Sequence, residues 1–415
     1  MANPMVRKAW TVALAGTGIN LALGILYTYS VFKARIAGSE QYAWDTGSLN
    51  VPYSVCCLVF AFAMILAGRV QDRFGPRVTA FLGGLLVAIG FVLISFSPAL
   101  WVWVVGFGIL AGVGIGFGYS AATPPGLKWF PSWKTGMVAG IVVSGFGLAS
   151  VYIAPLATYL LDIWTLQQTM LFFGIAFAVV LSALSMLLVN PPAGYDPAQA
   201  FGGTAKQAAA AARTAAPNDG KPSEIIRTGR FWLMWTLYVI GSGAGLMVIS
   251  DVLGLAKKSL AEQAFIAVAL FAVGNAAGRI IAGILSDKIG RRMTLRIMLA
   301  FQALLMFLAI PLVVNGGAGQ VLLVVFATFI GFNYGTNLSL FPSLAKDNWG
   351  LKNFGMNYGL LFTAWGVGGL IFSEMYQRLK SADHQSTAFV IMGVFLLAAA
   401  AMTFLLPGWR KAGDA

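Results

Sequence analysis

Twelve apolar stretches, each about as long as a bilayer core is thick, constrain this chain more than any other feature of its sequence. A spanning helix needs roughly 20 mainly apolar residues. That length is met near residues 9–33, 50–70, 77–97, 100–127, 135–160, 166–190, 231–256, 263–286, 293–314, 319–343, 355–378 and 386–408. Lipid offers no hydrogen bonds to a backbone, so such runs close their own as helices. The expected fold is an all-α membrane protein with twelve transmembrane helices. Composition agrees, since only 10% of the 415 residues are charged, against roughly 25% in soluble domains. The first run follows a basic pair, Arg7 and Lys8, and has no small-residue cleavage site. It is expected to be a membrane helix and not a removable leader.

The formal net charge of +13 raises the question of a nucleic-acid partner. A phosphate-binding footprint gathers on one face, whereas these basic residues are scattered between apolar runs, so none is expected. Placing both termini in the cytoplasm leaves Lys33, Arg35, Lys257, Lys258, Arg378 and Lys380 outside and Arg279 within a span. The other 20 of the 27 Lys and Arg fall inside, as the positive-inside rule requires. The expected location is the cell (inner) membrane, multi-pass. Cys56 and Cys57 are adjacent within an apolar run and read as small packing residues, not as a disulfide framework or metal site. "GVGIGFG" (112–118) matches a dinucleotide fingerprint only superficially, since it lies inside a span with no preceding strand. No phosphate-cradling G-x-x-x-x-G-K-[ST] loop occurs, no cofactor is implied, and no nucleophile, base and orienting acid form a recognisable catalytic motif. Transport or sensing is expected, not enzymology.

Between the sixth and seventh runs lies a segment rich in Ala, Pro and Gly, with room for one short helix, that reads as a linker. The expected organisation is therefore an N-terminal six-helix bundle over 1–190, a cytoplasmic linker over 191–229 and a C-terminal six-helix bundle over 230–415. The halves repeat. "GRVQDRFGPR" (68–77) aligns with "GILSDKIGRR" (283–292) at an offset of 215, pairing Gly68 with Gly283, Asp72 with Asp287 and Gly75 with Gly290. The same offset pairs Tyr119 with Tyr334, and both stretches run on to Phe-Pro. Two matches at one offset point to two pseudo-symmetric bundles.

The pattern G-x-x-x-D-[RK]-x-G-[RP]-R between helices two and three, repeated between eight and nine, resembles the signature loop of the major facilitator superfamily. The twelve-helix layout extends that resemblance over the whole chain. "KWFPSWKTGMVAGIVVSGFG", "NYGLLFTAW" and the arginine of "NAAGRIIAGILSDKIGRR" are similar to the branch that holds bacterial lactate-type monocarboxylate transporters and the oxalate:formate antiporter. The resemblance implies alternating access and a helix-eight arginine that takes the substrate carboxylate. Human-type monocarboxylate carriers have an aspartate one turn before that arginine, where this chain has Asn275. The antiporter has a lysine in helix eleven, where this chain has Trp365.

The residues themselves single out Arg279. It lies roughly 12 Å along the helix from Asp287 and about 25 Å from Glu262, hence within a core about 30 Å thick. Ala272, Asn275, Arg279, Ala282 and Ser286 form one small and polar stripe, with Val273, Ile280, Ile281 and Ile284 mostly elsewhere. The stripe is expected to face the protein interior. There Arg279 is either half of a buried ion pair tying two helices or an anion site whose planar fork takes both oxygens of one carboxylate. Asn275 either donates to the anion or orients the arginine, or else bonds across a helix pair. Tyr119 and Tyr334, with Tyr27 and Phe362 behind them, are substrate-contact candidates or interhelical packing residues. Trp365 joins them through the resemblance, offering apolar surface to a short alkyl tail.

Among the acids, Asp251 late in helix seven is a proton-coupling candidate or an outer-end partner for a lysine. Glu374 precedes Arg378 by four and reads as an interfacial ion pair. The sole histidine, His384, is in an outer loop, leaving no imidazole relay in the membrane. Asp72, Arg73, Arg77, Asp287, Arg291 and Arg292 read as conformational latches at helix ends or as solvated inner charges. The function expected is secondary transport of a short monocarboxylate such as L-lactate with a proton, by a protein working as a monomer in the bilayer. Exchange of small carboxylates such as oxalate and formate is the alternative. With Arg279 as the one basic residue deep in a span, a monoanion is neutralised completely and a dianion is not.

Overall fold

The computed structural model describes residues 3–45, 48–204, 219–249, 264–314 and 319–406, with side chains from 269 onward in the fourth stretch. Twelve long helices carry the chain: α1 (Pro4–Ala37), α2 (Val51–Phe74), α3 (Pro76–Ser95), α4 (Leu100–Trp129), α5 (Thr135–Ile163), α6 (Leu166–Leu187), α7 (Gly229–Ile249), α8 (Ala264–Ile289), α9 (Arg291–Ala309), α10 (Gln320–Trp349), α11 (Phe354–Ser381) and α12 (Gln385–Met402). They match the twelve expected spans in order. Among the described residues 11 helices are long and apolar enough to cross a membrane. The twelfth, α11, has 28 residues but is diluted by Asn357, Glu374, Gln377, Arg378 and Lys380.

Local chemistry sets the helix ends. Asn3 accepts the Met5 N–H at 3.0 Å, with Pro4 opening α1. Thr165 and Gln168 form a reciprocal capping box at α6. The signature corners need glycine, because Gly75 has φ +83° and Gly290 +89°, where a side chain is disfavoured. This explains why the two loops share that residue at that place. Among the described residues between α6 and α7 are the four-residue helices Pro197–Ala200 and Pro222–Ile225, in the segment where the sequence left room for a short helix.

By packing, the chain forms two compact units, each made of non-consecutive segments. Unit one comprises Met1–Phe130, Gly145–Phe201 and Leu351–Thr363; unit two comprises Pro131–Ser144, Gly202–Gly350 and Ala364–Ala415. Helices α5 and α11 therefore each begin in one unit and end in the other. Inside unit one, Gly108, Gly112 and Gly116 of α4 lie against α2 around Val55, Cys56 and Phe60. Inside unit two the approach is mutual: Gly274 and Gly278 of α8 lie on the α10 backbone at Thr328 and Phe332, and Gly331 and Gly335 of α10 lie on α8 at Phe271 and Asn275. Small residues every fourth position let helix backbones meet where lipid supplies no hydrophobic push.

Polarity is arranged as a bilayer demands. Asn20, Gln302, Asn333 and Asn337 are buried, while Leu66, Val179 and Val321 are exposed. Cys56 is buried and both cysteines are free.

Candidate substrate site

The α8 stripe is interior, as its spacing predicts. Ala272, Asn275, Arg279, Ala282 and Ser286 are all buried, and Arg279 is 0% exposed, whereas Val273 and Ile281 are exposed. Arg279 has no carboxylate partner among the described residues. Its Nε donates to Asn275 Oδ1 at 2.9 Å, and its Nη1 donates to the main-chain oxygen of Val143 on α5. Its Nη2 has no hydrogen-bond partner among the described residues. The ion-pair alternative thus finds no acid among the described residues, and Asn275 accepts from the guanidinium on its own helix. Asp251 and Glu262 lie outside the described residues.

Gly335 fits Asn275 closely; a methyl on it would come 2.9 Å from Asn275 Oδ1. Its neighbour Tyr334 is fully buried, and its hydroxyl accepts the Trp365 indole N–H at 2.9 Å. The Tyr334 ring rests on α7 where Gly245 leaves room, since a methyl at 245 would be 2.8 Å from Tyr334 Cγ. Unit two therefore holds Arg279, Asn275, Tyr334 and Trp365 together.

Unit one holds the remaining sequence candidates in a cluster of rings. Tyr119 meets Phe60 at 5.6 Å, Phe146 at 5.5 Å and Phe362 at 5.3 Å between centroids, and Tyr27 meets Phe146 edge-on at 5.1 Å. Phe60 also meets Phe362 at 5.2 Å. Phe60 and Phe146 had no distinguishing signal in sequence, because one more phenylalanine in an apolar helix is unremarked. Their edge-on and tilted geometry is what ring quadrupoles favour. Tyr27 is only half-buried.

The signature carboxylates cap remote helices. Asp72 accepts the N–H groups of Gly355 and Met356 at 2.9 Å each, at the start of α11. Asp287 accepts those of Gly136 and Met137 at 2.9 Å each, at the start of α5. A helix leaves its first N–H groups unpaired and carries partial positive charge there, so each acid satisfies both demands. Asp287 is further paired with Arg291 at 2.6 Å, and Arg291 reaches Asp347 at 3.2 Å and Thr135 Oγ1 at 3.1 Å. Arg77 and Arg292 tie helix ends instead, donating to the main-chain oxygens of Met186 at 2.9 Å and Phe404 at 2.6 Å. Arg73 is exposed, its guanidinium 5.2 Å from the centre of the Phe74 ring. The dipeptide Gly-Met, recurring at 136–137 and 355–356, was the available sequence signal for the capping sites.

Residues 9–373 match the family model for the Major Facilitator Superfamily. The chain is 23% identical to the oxalate:formate antiporter of Oxalobacter formigenes, covering 92% of this chain and 88% of that protein. It is 25% identical to monocarboxylate transporter 13 of Bos taurus, covering 93% and 86%. The proton:xylose symporter XylE superposes with a TM-score of 0.72 at 14% identity, over 97% of this chain and 96% of the other. That likeness concerns the fold alone.

Proposed function

The chain belongs to the Major Facilitator Superfamily, a multi-pass membrane transporter and not an enzyme, and from that premise we propose that it carries short monocarboxylates such as L-lactate, together with a proton, by alternating access. One observation carries the choice of substrate. Arg279 is wholly buried, spends two donors on neutral oxygens and keeps Nη2 unpartnered among the described residues. A guanidinium stays charged at any accessible pH, so its compensation must come from an anion. A carboxylate can take Nη1 and Nη2 together, in the two-point geometry that favours arginine over lysine. Monocarboxylate transporter 13 and the oxalate:formate antiporter, both similar over most of the chain, support a carboxylate as cargo.

Uptake into proteoliposomes of labelled lactate, acetate, pyruvate and oxalate, with and without an imposed proton gradient, tests the proposal. Lactate uptake driven by inward proton flow is expected. Equal competition by oxalate, with exchange indifferent to pH, would move the reading to anion exchange. We further propose the cell (inner) membrane with both termini cytoplasmic. In a protein with Cys56 and Cys57 replaced, a cysteine at exposed Ser381 should label from outside with an impermeant thiol reagent, and one at exposed Ala193 should not.

A further inference from the structure

The main-chain oxygen that Arg279 holds belongs to a helix whose own start is gripped by the signature carboxylate. Within unit two, the first ten residues of α5 lie along α8 through three contacts in register. Gly136 and Gly283 meet backbone to backbone beside Asp287, Gly140 lies on the Arg279 carbonyl, and the Val143 oxygen accepts from the Arg279 guanidinium. Residues 136 and 143 are about 10 Å apart on one rigid helical segment. The cation and the Asp287 cap therefore hold the same object.

We propose that the Val143 carbonyl is a stand-in for the substrate, occupying Nη1 of Arg279 when no anion is bound and displaced when a carboxylate arrives. The inference rests on Arg279 being the carboxylate site. A carbonyl is a neutral acceptor with a lone pair to spare. A carboxylate forms charge-assisted bonds roughly twice as strong and engages Nη2 as well, so it wins the exchange. The displaced carbonyl then no longer ties α5 to α8 at mid-membrane, and the α5 start is held chiefly by Asp287 and the glycine contacts. Arrival of substrate is thereby felt at the inner end of α5 without any change in Asp287 itself. The equivalent place in unit one has the contacts without the sensor: Gly355 lies by Asp72 and Gly359 lies on the main chain of Met64.

That difference supplies the experiment. A methyl at Gly140 would come within 2.9 Å of the Arg279 carbonyl carbon and the Ile280 Cα, and one at Gly359 within 2.8 Å of the Met64 carbonyl carbon. Each wedges one helix pair apart, but only Gly140→Ala withdraws a competitor from the cation. Lactate binding to purified full-length protein should tighten in Gly140→Ala by roughly three- to ten-fold, as expected on removing one competing hydrogen bond, while maximal uptake falls. Gly359→Ala should lower maximal uptake with its Kd within about two-fold of the parent protein, since no hydrogen bond to a cation is altered. An unchanged or weaker Kd in Gly140→Ala, or an equal shift in both variants, overturns the proposal. In the unaltered protein, lactate should speed amide exchange over residues 136–144 and leave 355–363 as they were; unchanged or slower exchange at 136–144 also overturns it. If Arg279→Gln binds lactate as the parent does, the carboxylate site itself is wrong, a different failure with a different signature.

Discussion

Helices α2 and α8 do the same structural work with opposite chemistry. Each ends in a signature carboxylate that caps a remote helix start, and each is overlain by the glycines of that helix. At the repeat offset, however, Phe60 stands where α8 has Asn275, and Met64 where it has Arg279. The capping sites differ in the same sense. Pro76 occupies the place of Arg291, and Arg291 joins Asp287 and Asp347 in a charged network. Asp72 forms none of the ion pairs found among the described residues and feels Lys128 only at longer range. The repeats share the scaffold, and only the second carries a buried guanidinium at this place. What the copies share is geometry that any transporter of this build requires; what they do not share is where specificity must be sought.

The contrast should break most completely at Arg279. Arg279→Gln is expected to reduce lactate uptake by at least about 100-fold with normal membrane insertion, because an entering carboxylate loses several kcal/mol of compensation. Arg279→Lys should also be severely impaired. Met64→Gln, at the equivalent place, should cost no more than about three-fold, as it removes no charge partner. Uptake normalised to protein in the membrane checks all three.

The capping sites come next, read by thermal melting in detergent. Asp287→Asn leaves Arg291 buried with one fewer carboxylate, a loss of about 3 kcal/mol. Asp72→Asn weakens only the interaction with a helix start, about 1 kcal/mol. The melting temperature should therefore fall further for Asp287→Asn, and equal falls would remove the asymmetry.

Within unit two, Tyr334→Phe removes the hydroxyl that accepts the Trp365 indole N–H and should raise the lactate KM several-fold, in keeping with about 1 kcal/mol for one hydrogen bond. The smallest effect is expected at the C-terminal end of α11. Glu374 and Arg378 do pair, at 2.9 Å, but with side chains 57% and 79% exposed. Glu374→Gln should shift melting negligibly, since exposed pairs contribute little once solvent screens them.

Much of this was legible in sequence because periodicity is enforced by lipid. Val273 and Ile281 face outward and Asn275 and Arg279 inward for one reason, and the 3.6-residue period exposes it. The corner glycines were legible because their positive φ admits few alternatives. The acceptor for Arg279 was not legible, since a main-chain oxygen at Val143 has no residue-type signature. The partners of Asp287, 151 and 150 positions away in the chain, left only the repeated Gly-Met dipeptide as a trace, which marks a place and not a contact. The ring cluster around Tyr119 escaped for a different cause: aromatic residues are common in membrane helices, and nothing in their spacing says which rings will meet. The sequence candidate Asp251 lies outside the described residues, so proton coupling rests on transport assays.

Helices α5 and α11 each begin in one compact unit and finish in the other, and this has a consequence for dissection. Cutting the chain between its halves would remove a packed segment from each unit. A fragment ending at 201 lacks 351–363, so Asp72 would lose the N–H groups of Gly355 and Met356; a fragment starting at 202 lacks 131–144, so Asp287 would lose Gly136 and Met137. Each helix start that a signature carboxylate caps thus belongs, in chain order, to the other half of the polypeptide, so continuity of the chain and completeness of a packed unit are different things in this protein.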